Sequence, residues 1–507
     1  MRDLPVGNGS LLVNFDDKYQ IRDIYFPHVG QENHSEGFPF RFGVWIEGEF
    51  SWVHEDEWLR ELKYLPDSLI TDVILRNAEL GVEMLCSDMV AGRENVYLRR
   101  VTVRDLTEEP RDIRVFLHHD FRIYENKIGD TAFYDPETLS LIHYKKHRYF
   151  LINTLPHFDQ FATGRKAFRN MEGTWRDAED GELHGGAITE GSVDSTIAVH
   201  GSGEFEFYYW IAAGTSHHQV SNINRRLLET SPGTLFEKAD LRWSHWLSKC
   251  EFQLDSVNEK VRSLFIRSLL ITESQIDEGG AIIAANDHDV TERATDHYSY
   301  LWPRDGAFVA NALDLVGRGD ITRKFFELCG RIVHERGYFL QKYNADGTVG
   351  SGWHAYWDKY RGIEMLPIQE DETALVLWAL WEHFSIHKDD QFARGLYHYL
   401  ILKCGDFLAK YRDPATGLPL PSWNLWEDRR GVHTFTCATV VAGLRAAANF
   451  AELFGDIENA STYRAAADEV VAGIRTHLFS VEHGRFLRSL QANGDDSLTP
   501  DSAVDAS

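Results

Sequence analysis

The sequence has few of the features that mark secreted, membrane-spanning or nucleic-acid-binding proteins. Its five cysteines are widely spaced with no C-x-x-C pair, which argues against a disulfide framework and a cysteine zinc site. No stretch approaches 18 consecutive apolar residues, and the N-terminus lacks a basic segment followed by an apolar core. Lys and Arg number only 52 against 78 Asp and Glu, a net charge of −26. Such a field repels polyanions, so we predict that the protein binds neither nucleic acid nor membranes. The cysteine pattern and the N-terminal sequence lead us to predict a cytoplasmic location.

Aromatic residues, in contrast, are abundant. The chain of 507 residues is 43% hydrophobic and 13% aromatic, with 14 tryptophans, and its length suggests two or three domains. Several tryptophans stand in polar, glycine-rich loops: Trp302, Trp353, Trp357, Trp423 and Trp426. Flat aromatic faces in open clefts suit sugar rings, but loop tryptophans also serve as packing plugs. The aromatic content alone leaves both interpretations open.

The first part of the chain has the period-two pattern of β-strands. In RDIRVFLHHDF, Ile113, Val115 and Leu117 alternate with residues of the other face, and short apolar runs elsewhere are separated by Asn, Asp, Gly and Pro turns. We therefore predict an antiparallel β-sandwich domain over residues 1–232. The adjacent histidine pairs, His118–His119 and His217–His218, are interpreted as neighbouring strand residues that face opposite sides of a sheet, and not as metal ligands.

The period becomes helical after Pro232-Gly233. Residues 233–255 read as a linking helix region, and the pattern Ser-Val-Asn-Glu from Ser256 is typical of a helix start. The spacing predicts further helices at about 304–318, 320–336, 371–387, 391–412, 433–454 and 457–478. Long loops rich in Gly, Trp and Asp separate alternate helices. Helical hairpins with long loops at one end indicate a toroid of helices over residues 256–507, with its mouth lined by those loops.

Three of these loops contain candidate site residues. In DHYSYLWPRDGAF, Arg304 and Asp305 open a helix beside Trp302, where Asp305 complements the helix dipole and the pair also suits sugar hydroxyls. In LPIQEDET, the acidic run 370–372 precedes a helix and reads mainly as dipole complement. In PLPSWNLWEDRRGVHTF, Glu427 stands between a tryptophan and an aspartate.

The surroundings of Glu427 are those a general acid needs. A carboxyl group packed against an indole is desolvated, which favours its protonated form, and a neighbouring carboxylate acts in the same direction. The sequence is equally consistent with a surface carboxylate neutralised by Arg429 and Arg430. Spacing alone does not separate these two interpretations.

Together the three loops resemble motifs of glycoside hydrolase family 15, the glucoamylase and glucodextranase group. YSYLWPRDGA resembles the first barrel motif, LPIQEDETALVLWAL the second, and GLPLPSWNLWEDRRGVHTFT the general-acid segment, which usually has Trp-Glu-Glu. The opening GNGSLLVNFDDKYQIRDIYFPHVGQENH resembles the β-sandwich domain of bacterial and archaeal members. The resemblance covers essentially the whole chain.

This resemblance implies a β super-sandwich joined to an (α/α)6 barrel, and an exo-acting, inverting α-glucosidase that releases β-glucose. Glu427 takes the place of the general acid, and Trp426 and Asp428 take those of residues flanking the sugar. Asp428 departs from the usual Glu, which bears on how a sugar in the +1 site is held. Arg304 and Asp305, with Trp302 beside them, take the positions that hold the terminal glucose. Leu301-Trp-Pro resembles the glucoamylases more than the family's trehalases.

The resemblance also leads us to expect that part of the barrel is absent. The family's general base lies near the end of the barrel, whereas this chain stops at LTPDSAVDAS after about seven of twelve expected helices. None of the acidic residues after Glu427 stands in the base context. We therefore expect a chain truncated at the C-terminus that lacks the base and whose activity is in doubt.

Two other functions fit the same sequence. A glycoside phosphorylase shares the architecture and needs only one carboxylic acid, although the loops show no Ser, Lys and His cluster for phosphate. An inactive glucan-binding protein would keep Trp302, Arg304 and Asp305 to hold chain ends. We predict no metal and no cofactor, because the turn YNADGTVG lacks the remaining ligands of a calcium loop. The predicted partner is an α-linked oligo- or polysaccharide.

Overall fold

A computed structural model describes residues 4–166, 173–254, 256–286, 297–350 and 352–503. Its contacts divide the chain into two compact units. Unit 1 comprises Met1–Lys249, Gln253–Glu278 and Ala285–Tyr298, and unit 2 comprises Cys250–Phe252, Gly279–Ala284 and Ser299–Ser507. By their contacts, residues 259–274 belong to unit 1, whereas the sequence pattern predicts that they begin the barrel. The domain boundaries at 232 and 255 therefore stay a prediction.

Unit 1 is built mainly from antiparallel strands. The first nine are β1 (Leu4–Gly7), β2 (Leu12–Phe15), β3 (Ile21–His28), β4 (Gln31–Asn33), β5 (Phe42–Ile46), β6 (Glu49–Trp52), β7 (Trp58–Tyr64), β8 (Thr71–Asn77) and β9 (Val82–Val90). The next nine are β10 (Val96–Asp105), β11 (Asp112–His119), β12 (Asp130–Asp135), β13 (Ser140–Lys145), β14 (Arg148–Leu155), β15 (Gln160–Arg165), β16 (Ile188–Gly191), β17 (Val193–Ser202) and β18 (Glu204–Gly214). Its helices are α1 (Thr174–Asp177), α2 (His217–Thr230), α3 (Pro232–Ser248) and α4 (Glu259–Ser274), with a 3-10 turn at Ala178–Asp180.

Two large sheets of this unit share one apolar core. Their strand orders are β16-β12-β13-β14-β18-β10-β9-β8-β7 and β15-β17-β11-β5-β6, and a four-stranded sheet has the order β1-β2-β3-β4. Val44 and Val115 from the smaller sheet lie in the same buried cluster as Leu75, Val101 and Phe207 from the larger one. This confirms the predicted antiparallel β-sandwich.

The other face of the nine-stranded sheet is covered by helices. Leu98 and Trp210 form a second buried cluster with Val220 and Ile223 of α2 and Phe236 of α3. Central strands are therefore buried on both faces, which explains why the apolar alternation there is incomplete. The interpretation of His217–His218 as strand residues was wrong, because both begin α2.

Unit 2 is helical with short strands. Its helices are α5 (Pro303–Leu315), α6 (Gly319–Ile332), α7 (Glu370–His387), α8 (Asp390–Leu396), α9 (Leu402–Lys410), α10 (Thr434–Leu453) and α11 (Ile457–Gly473), with π-helical turns at Tyr397–Ile401 and Ile474–Leu478. Its strands are β19 (Tyr356–Asp358), β20 (Ile363–Met365), β21 (Ser422–Trp423), β22 (Arg430–His433), β23 (Phe479–Ser480), β24 (Arg485–Phe486), β25 (Ser489–Ala492) and β26 (Leu498–Asp501). The six predicted barrel helices are present, and the one at 391–412 is interrupted by a π-helical turn.

Helices α5, α7 and α10 form one packed layer. α7 contacts both α5 and α10, while α6 packs on α5, and α9 and α11 pack on α10. Gly443 of α10 is needed for this contact, because a Cβ there would lie 2.8 Å from the Ala374 carbonyl oxygen of α7. Alternating inner and outer helices are typical of an (α/α)6 barrel, and the described residues of unit 2 contain fewer than its twelve helices. The predicted incomplete barrel is thus consistent with the structure.

Within the described ranges, no helix has the length and apolar character needed to cross a membrane.

Candidate active site

The three loops predicted to contain the site come together at one end of the α5–α7–α10 layer. Trp302 is the N-cap residue of α5, and Gln369 is that of α7. The third loop is the connection of the β21–β22 hairpin, which leads directly into α10. The inner helices of unit 2 therefore begin next to the candidate residues, and the packing of these helices brings distant sequence segments together.

Glu427 is held by Trp302. The Trp302 indole Nε1–H donates to Glu427 Oε1 over 3.2 Å, although the residues are 125 positions apart. Trp302 is buried, with 6% of its surface exposed, while Trp426 is 67% exposed. The indole that contacts the predicted acid is therefore that of Trp302, and the neighbouring Trp426 leaves its face open to solvent.

The Glu427 backbone has a strained conformation that Asn424 supports. Glu427 has a backbone φ of 62°, in the left-handed region that residues other than Gly and Asn seldom adopt. The side chain of Asn424 accepts hydrogen bonds from the N–H groups of Asp428 and Arg429, both at 3.1 Å, and donates to Asp428 Oδ1 at 2.8 Å. The Glu427 N–H donates to the Asn424 carbonyl oxygen at 3.0 Å. Asn424 is thus the residue that fixes the turn carrying Glu427.

Arg304 is buried among groups of opposite charge. Its guanidinium Nη1 lies 3.0 Å from Asp371 Oδ2 and 2.9 Å from Glu372 Oε1, and donates to Gln369 Oε1 at 3.1 Å. Its backbone N–H donates to Glu372 Oε2. Burial works against the charged guanidinium, but the carboxylates outweigh it and hold the pKa of Arg304 above its usual range. The buried network ties the start of α5 to the start of α7.

Asp305 interacts with both this network and Glu427. Its Oδ2 is 3.5 Å from Arg304 Nε, and its side chain is 44% exposed. Desolvation raises the pKa of Asp305, Arg304 opposes the rise, and the Asp371 and Glu427 carboxyl groups add to it. Asp305 is therefore an accessible carboxyl group, near Glu427, that Arg304 orients.

The acidic run at the start of α7 is not simply a solvated dipole complement. Glu370, Asp371 and Glu372 each have at most 1% of their surface exposed. Burial raises the pKa of Glu370 to about 8, with a small contribution from Asp371, and Ser422 opposes it. Neither Glu370 carboxyl oxygen has a well-formed hydrogen bond to a described residue. Burial also raises the pKa of Glu372, against the effect of Arg304.

The loops that contain these carboxyl groups also contain several aromatic side chains. The Tyr300 ring meets Trp302 edge-on at a centroid distance of 5.8 Å, and Lys342 Nζ lies 4.4 Å from the Tyr300 centroid. Trp353 and Trp423 contact each other at 5.5 Å. Exposed rings at Trp357 and Trp426 supply the kind of surface on which sugars stack.

The structure brings most of the predicted site residues together. Trp302, Arg304, Asp305 and Glu427 form one connected group, while Asp428 is exposed and bonded to Asn424. Sequence reasoning did not select four residues that support this group: Gln369, Asp371, Glu372 and Asn424. A buried arginine needs nearby carboxylates, so the Gln-Glu-Asp-Glu run was the available signal for three of them.

The fold and the sequence both match known glycoside hydrolases. A solved bacterial glucoamylase complexed with acarbose superimposes with a TM-score of 0.77 at 16% identity, over 99% of this chain and 73% of that protein. An inverting mannosidase of family GH92 from Bacteroides thetaiotaomicron matches with a TM-score of 0.55 at 14% identity, over 99% of this chain and 64% of its own. At such identities these likenesses show the fold.

Two sequence relatives are more specific. An uncharacterized glycosyl hydrolase from Methanocaldococcus jannaschii is 26% identical over 87% of this chain and 68% of that protein. A glucoamylase from a Clostridium species is 28% identical, and the aligned region covers 52% of this chain and 35% of the glucoamylase. These two relatives, together with the half-buried carboxyl groups at the start of the barrel helices, indicate the class of the protein, a glycoside hydrolase. The model of glycosyl hydrolases family 15 matches residues 259–507. The barrel part of the chain, residues 259–507, thus belongs to this family and is glucoamylase-like.

Proposed function

We propose that this chain is an exo-acting, inverting α-glucoside hydrolase that releases β-glucose from the non-reducing ends of maltooligosaccharides or related α-glucans. The observation that carries the proposal is the hydrogen bond from Trp302 to Glu427 Oε1. It joins the loop of the candidate acid to the loop of Arg304 and Asp305. The acid and the residues proposed to hold the sugar therefore belong to one site.

Glu427 is the proposed general acid. Its carboxyl proton passes to the glycosidic oxygen as the bond from that oxygen to C1 breaks, and the leaving sugar departs as an alcohol. Water attacks C1 from the opposite face, loses its proton to a base, and inverts the anomeric configuration. Trp302 fixes one carboxyl oxygen, and the turn supported by Asn424 fixes the backbone. Together these contacts support Glu427 as a preorganised acid.

Asp305 and Arg304 are the proposed recognition groups for the terminal glucose. Asp305 is partly exposed and is oriented by Arg304, whose own position is fixed by buried carboxylates. A rigid acceptor close to the acid suits the hydroxyl groups of a sugar at a chain end. This arrangement supports an exo mode of action.

The base of the inverting reaction is not assigned to a described residue. Inversion requires a second carboxyl group about 6.5–9.5 Å from the acid. The carboxyl groups that follow Asp428 include Glu469, Asp496 and Asp501, and these pair with arginines: Glu469 with Arg412, Asp496 with Arg430, and Asp501 with Arg488. A carboxylate held in such an ion pair does not suit activation of water.

Hydrolysis of end-labelled maltooligosaccharides tests the proposal. We expect release of single glucose units from the non-reducing end, a rate independent of added phosphate, and loss of at least 100-fold in Glu427→Gln. Glu482→Gln, in an exposed turn, is the matched control and should keep the parent rate. A requirement for phosphate would indicate a phosphorylase. Binding of acarbose without turnover, unchanged by Glu427→Gln, would indicate a glucan-binding protein.

A further inference from the structure

Two histidines and one aspartate of unit 2 converge at a point away from the candidate active site. Asp314 lies in the last turn of α5, and His383 and His387 lie one turn apart near the end of α7. Their ligand-type atoms, one from each residue, all lie within 4.8 Å of one another. Because α5 packs against α7, residues that are about 70 positions apart meet on facing helix surfaces.

One carboxyl oxygen is the focus of this triad. Asp314 Oδ1 lies 2.9 Å from His383 Nδ1 and 3.0 Å from His387 Nε2, and it accepts a hydrogen bond from Thr322 Oγ1 at 2.6 Å. Three groups thus crowd one oxygen, while Asp314 Oδ2 and His383 Nε2 are buried without a hydrogen-bond partner among the described residues. Hydrogen bonding within the triad therefore leaves part of a buried carboxyl group unsatisfied.

The donor set and its surroundings fit a transition-metal ion. Two imidazoles and one carboxylate are the ligands of many zinc sites, and the same set binds other first-row divalent metals. Asp314 and His383 are fully buried, and the His387 side chain is 24% exposed, which leaves an entry path from solvent. Phe326 and Phe392 pack on His383 at 5.3 and 5.5 Å, and such an apolar shell strengthens the interaction with a cation.

Helix geometry favours a cation at the same point. The C-terminal ends of α5 and α7 carry partial negative charge, which a bound cation would neutralise. Metal–ligand bonds of about 2.0–2.2 Å place tetrahedral ligand atoms about 3.3–3.5 Å apart, so the two distances from Asp314 Oδ1 to the histidine nitrogens need to lengthen by only a few tenths of an ångström.

We infer that Asp314, His383 and His387 form a binding site for a divalent transition-metal ion of the zinc type. The site clamps the end of α5 to the end of α7. At a rise of about 1.5 Å per residue, it lies about 15 Å along α5 from Arg304 and about 16–22 Å along α7 from Glu372, so its role is structural. The metal holds the two helices whose opposite ends carry the candidate active site.

Metal titration of the whole chain tests this inference directly. After treatment with a chelator, Zn²⁺ should bind with one equivalent per chain in calorimetry and raise the unfolding temperature by at least about 2 °C. Co²⁺ should bind at the same site and produce visible d–d absorption that Zn²⁺ abolishes. These readouts do not depend on glycoside hydrolysis, so they remain informative whichever result the activity assay gives.

His387→Gln is the main variant, because a glutamine amide can still hydrogen-bond Asp314 while the imidazole ligand is lost. His217→Gln is the matched control, since His217 is also a partly exposed histidine paired with one aspartate, at 3.1 Å from Asp135. We expect at least a tenfold weaker Zn²⁺ affinity and no Co²⁺ spectrum in the first variant, and parent behaviour in the second. Absence of saturable binding, or binding that His387→Gln leaves unchanged, would overturn the inference and leave a hydrogen-bonded triad.

Discussion

Trp302 and Glu427 are joined by a hydrogen bond of 3.2 Å between the indole Nε1–H and one carboxyl oxygen. The contact connects the N-cap of α5 to the hairpin turn before α10, so that the fold itself positions the proposed acid. Trp426, the tryptophan that precedes Glu427 in the sequence, has 67% of its surface exposed. The buried tryptophan orients the carboxyl group, and the exposed one is free to contact a sugar.

Trp302→Phe should slow the reaction without abolishing it. Phenylalanine keeps most of the buried ring but removes the N–H, a hydrogen bond of about 1 kcal/mol or somewhat more. We expect kcat to fall about 5- to 10-fold with little change in KM, measured on maltotriose or a similar oligosaccharide. Trp381→Phe removes an indole that packs on Phe384 and Phe450 instead, and it should retain the parent kcat. Equal losses in the two variants would contradict a positioning role for Trp302.

Asn424→Ala should disturb the Glu427 turn more than the fold as a whole. It removes the acceptor of two backbone N–H groups and the donor to Asp428, while Glu427 must keep a φ of 62°. We expect kcat to fall by at least tenfold and the free energy of unfolding to fall by about 1–2 kcal/mol. Asn424→Asp, which retains the acceptor, should recover part of kcat. Full activity of the alanine variant would show that the turn is fixed by other contacts.

Arg304→Ala should strongly destabilise unit 2. It leaves Asp371 and Glu372 buried without their cation, and breaking a buried pair in this way costs about 3–5 kcal/mol. Denaturant unfolding measures this loss. The double variant Arg304→Met/Glu372→Gln should be more stable than Arg304→Ala, because it removes one of the two buried carboxyl groups that lose the guanidinium. A double variant no more stable than Arg304→Ala would contradict the charge-pairing explanation.

Glu370→Gln should stabilise the chain at neutral pH. The pKa of Glu370 is raised from 4.5 to about 8 by burial, so the folded state holds a proton that the unfolded state has released. Stability is then lost as pH rises from about 4.5 to about 8, by up to about 3 kcal/mol at pH 7. The glutamine variant should lack this loss, and its free energy of unfolding should depend less steeply on pH over that range. An unchanged pH dependence would show that Glu370 ionises normally.

Much of the fold could be predicted from local patterns. Helix α10, for example, has apolar and small residues at helical spacing from Cys437 to Phe454, and its predicted span of 433–454 agrees with Thr434–Leu453. His217 and His218 show where local reasoning failed. The Gln219 N–H donates to the Ser216 hydroxyl oxygen, and this N-cap starts a helix at a point where the preceding strand suggested more strand.

The candidate site was only partly predictable for a different reason. Glu427, Arg304 and Asp305 stand in motifs whose residue types reveal their chemistry. Asn424 acts because its side chain accepts hydrogen bonds from two backbone N–H groups, and such bonds leave no distinctive pattern in the sequence. The triad of Asp314, His383 and His387 was also missed, because only the packing of α5 on α7 brings the aspartate to the two histidines.

The anomeric configuration of the first product shows whether the enzyme inverts and whether Glu427 is its acid. In proton NMR of freshly mixed enzyme and maltooligosaccharide, we expect an initial β-glucose signal that later equilibrates, and no such signal with Glu427→Gln. Initial α-glucose would contradict inversion. A β-glucose signal that persists in Glu427→Gln would contradict the assignment of Glu427 as the acid.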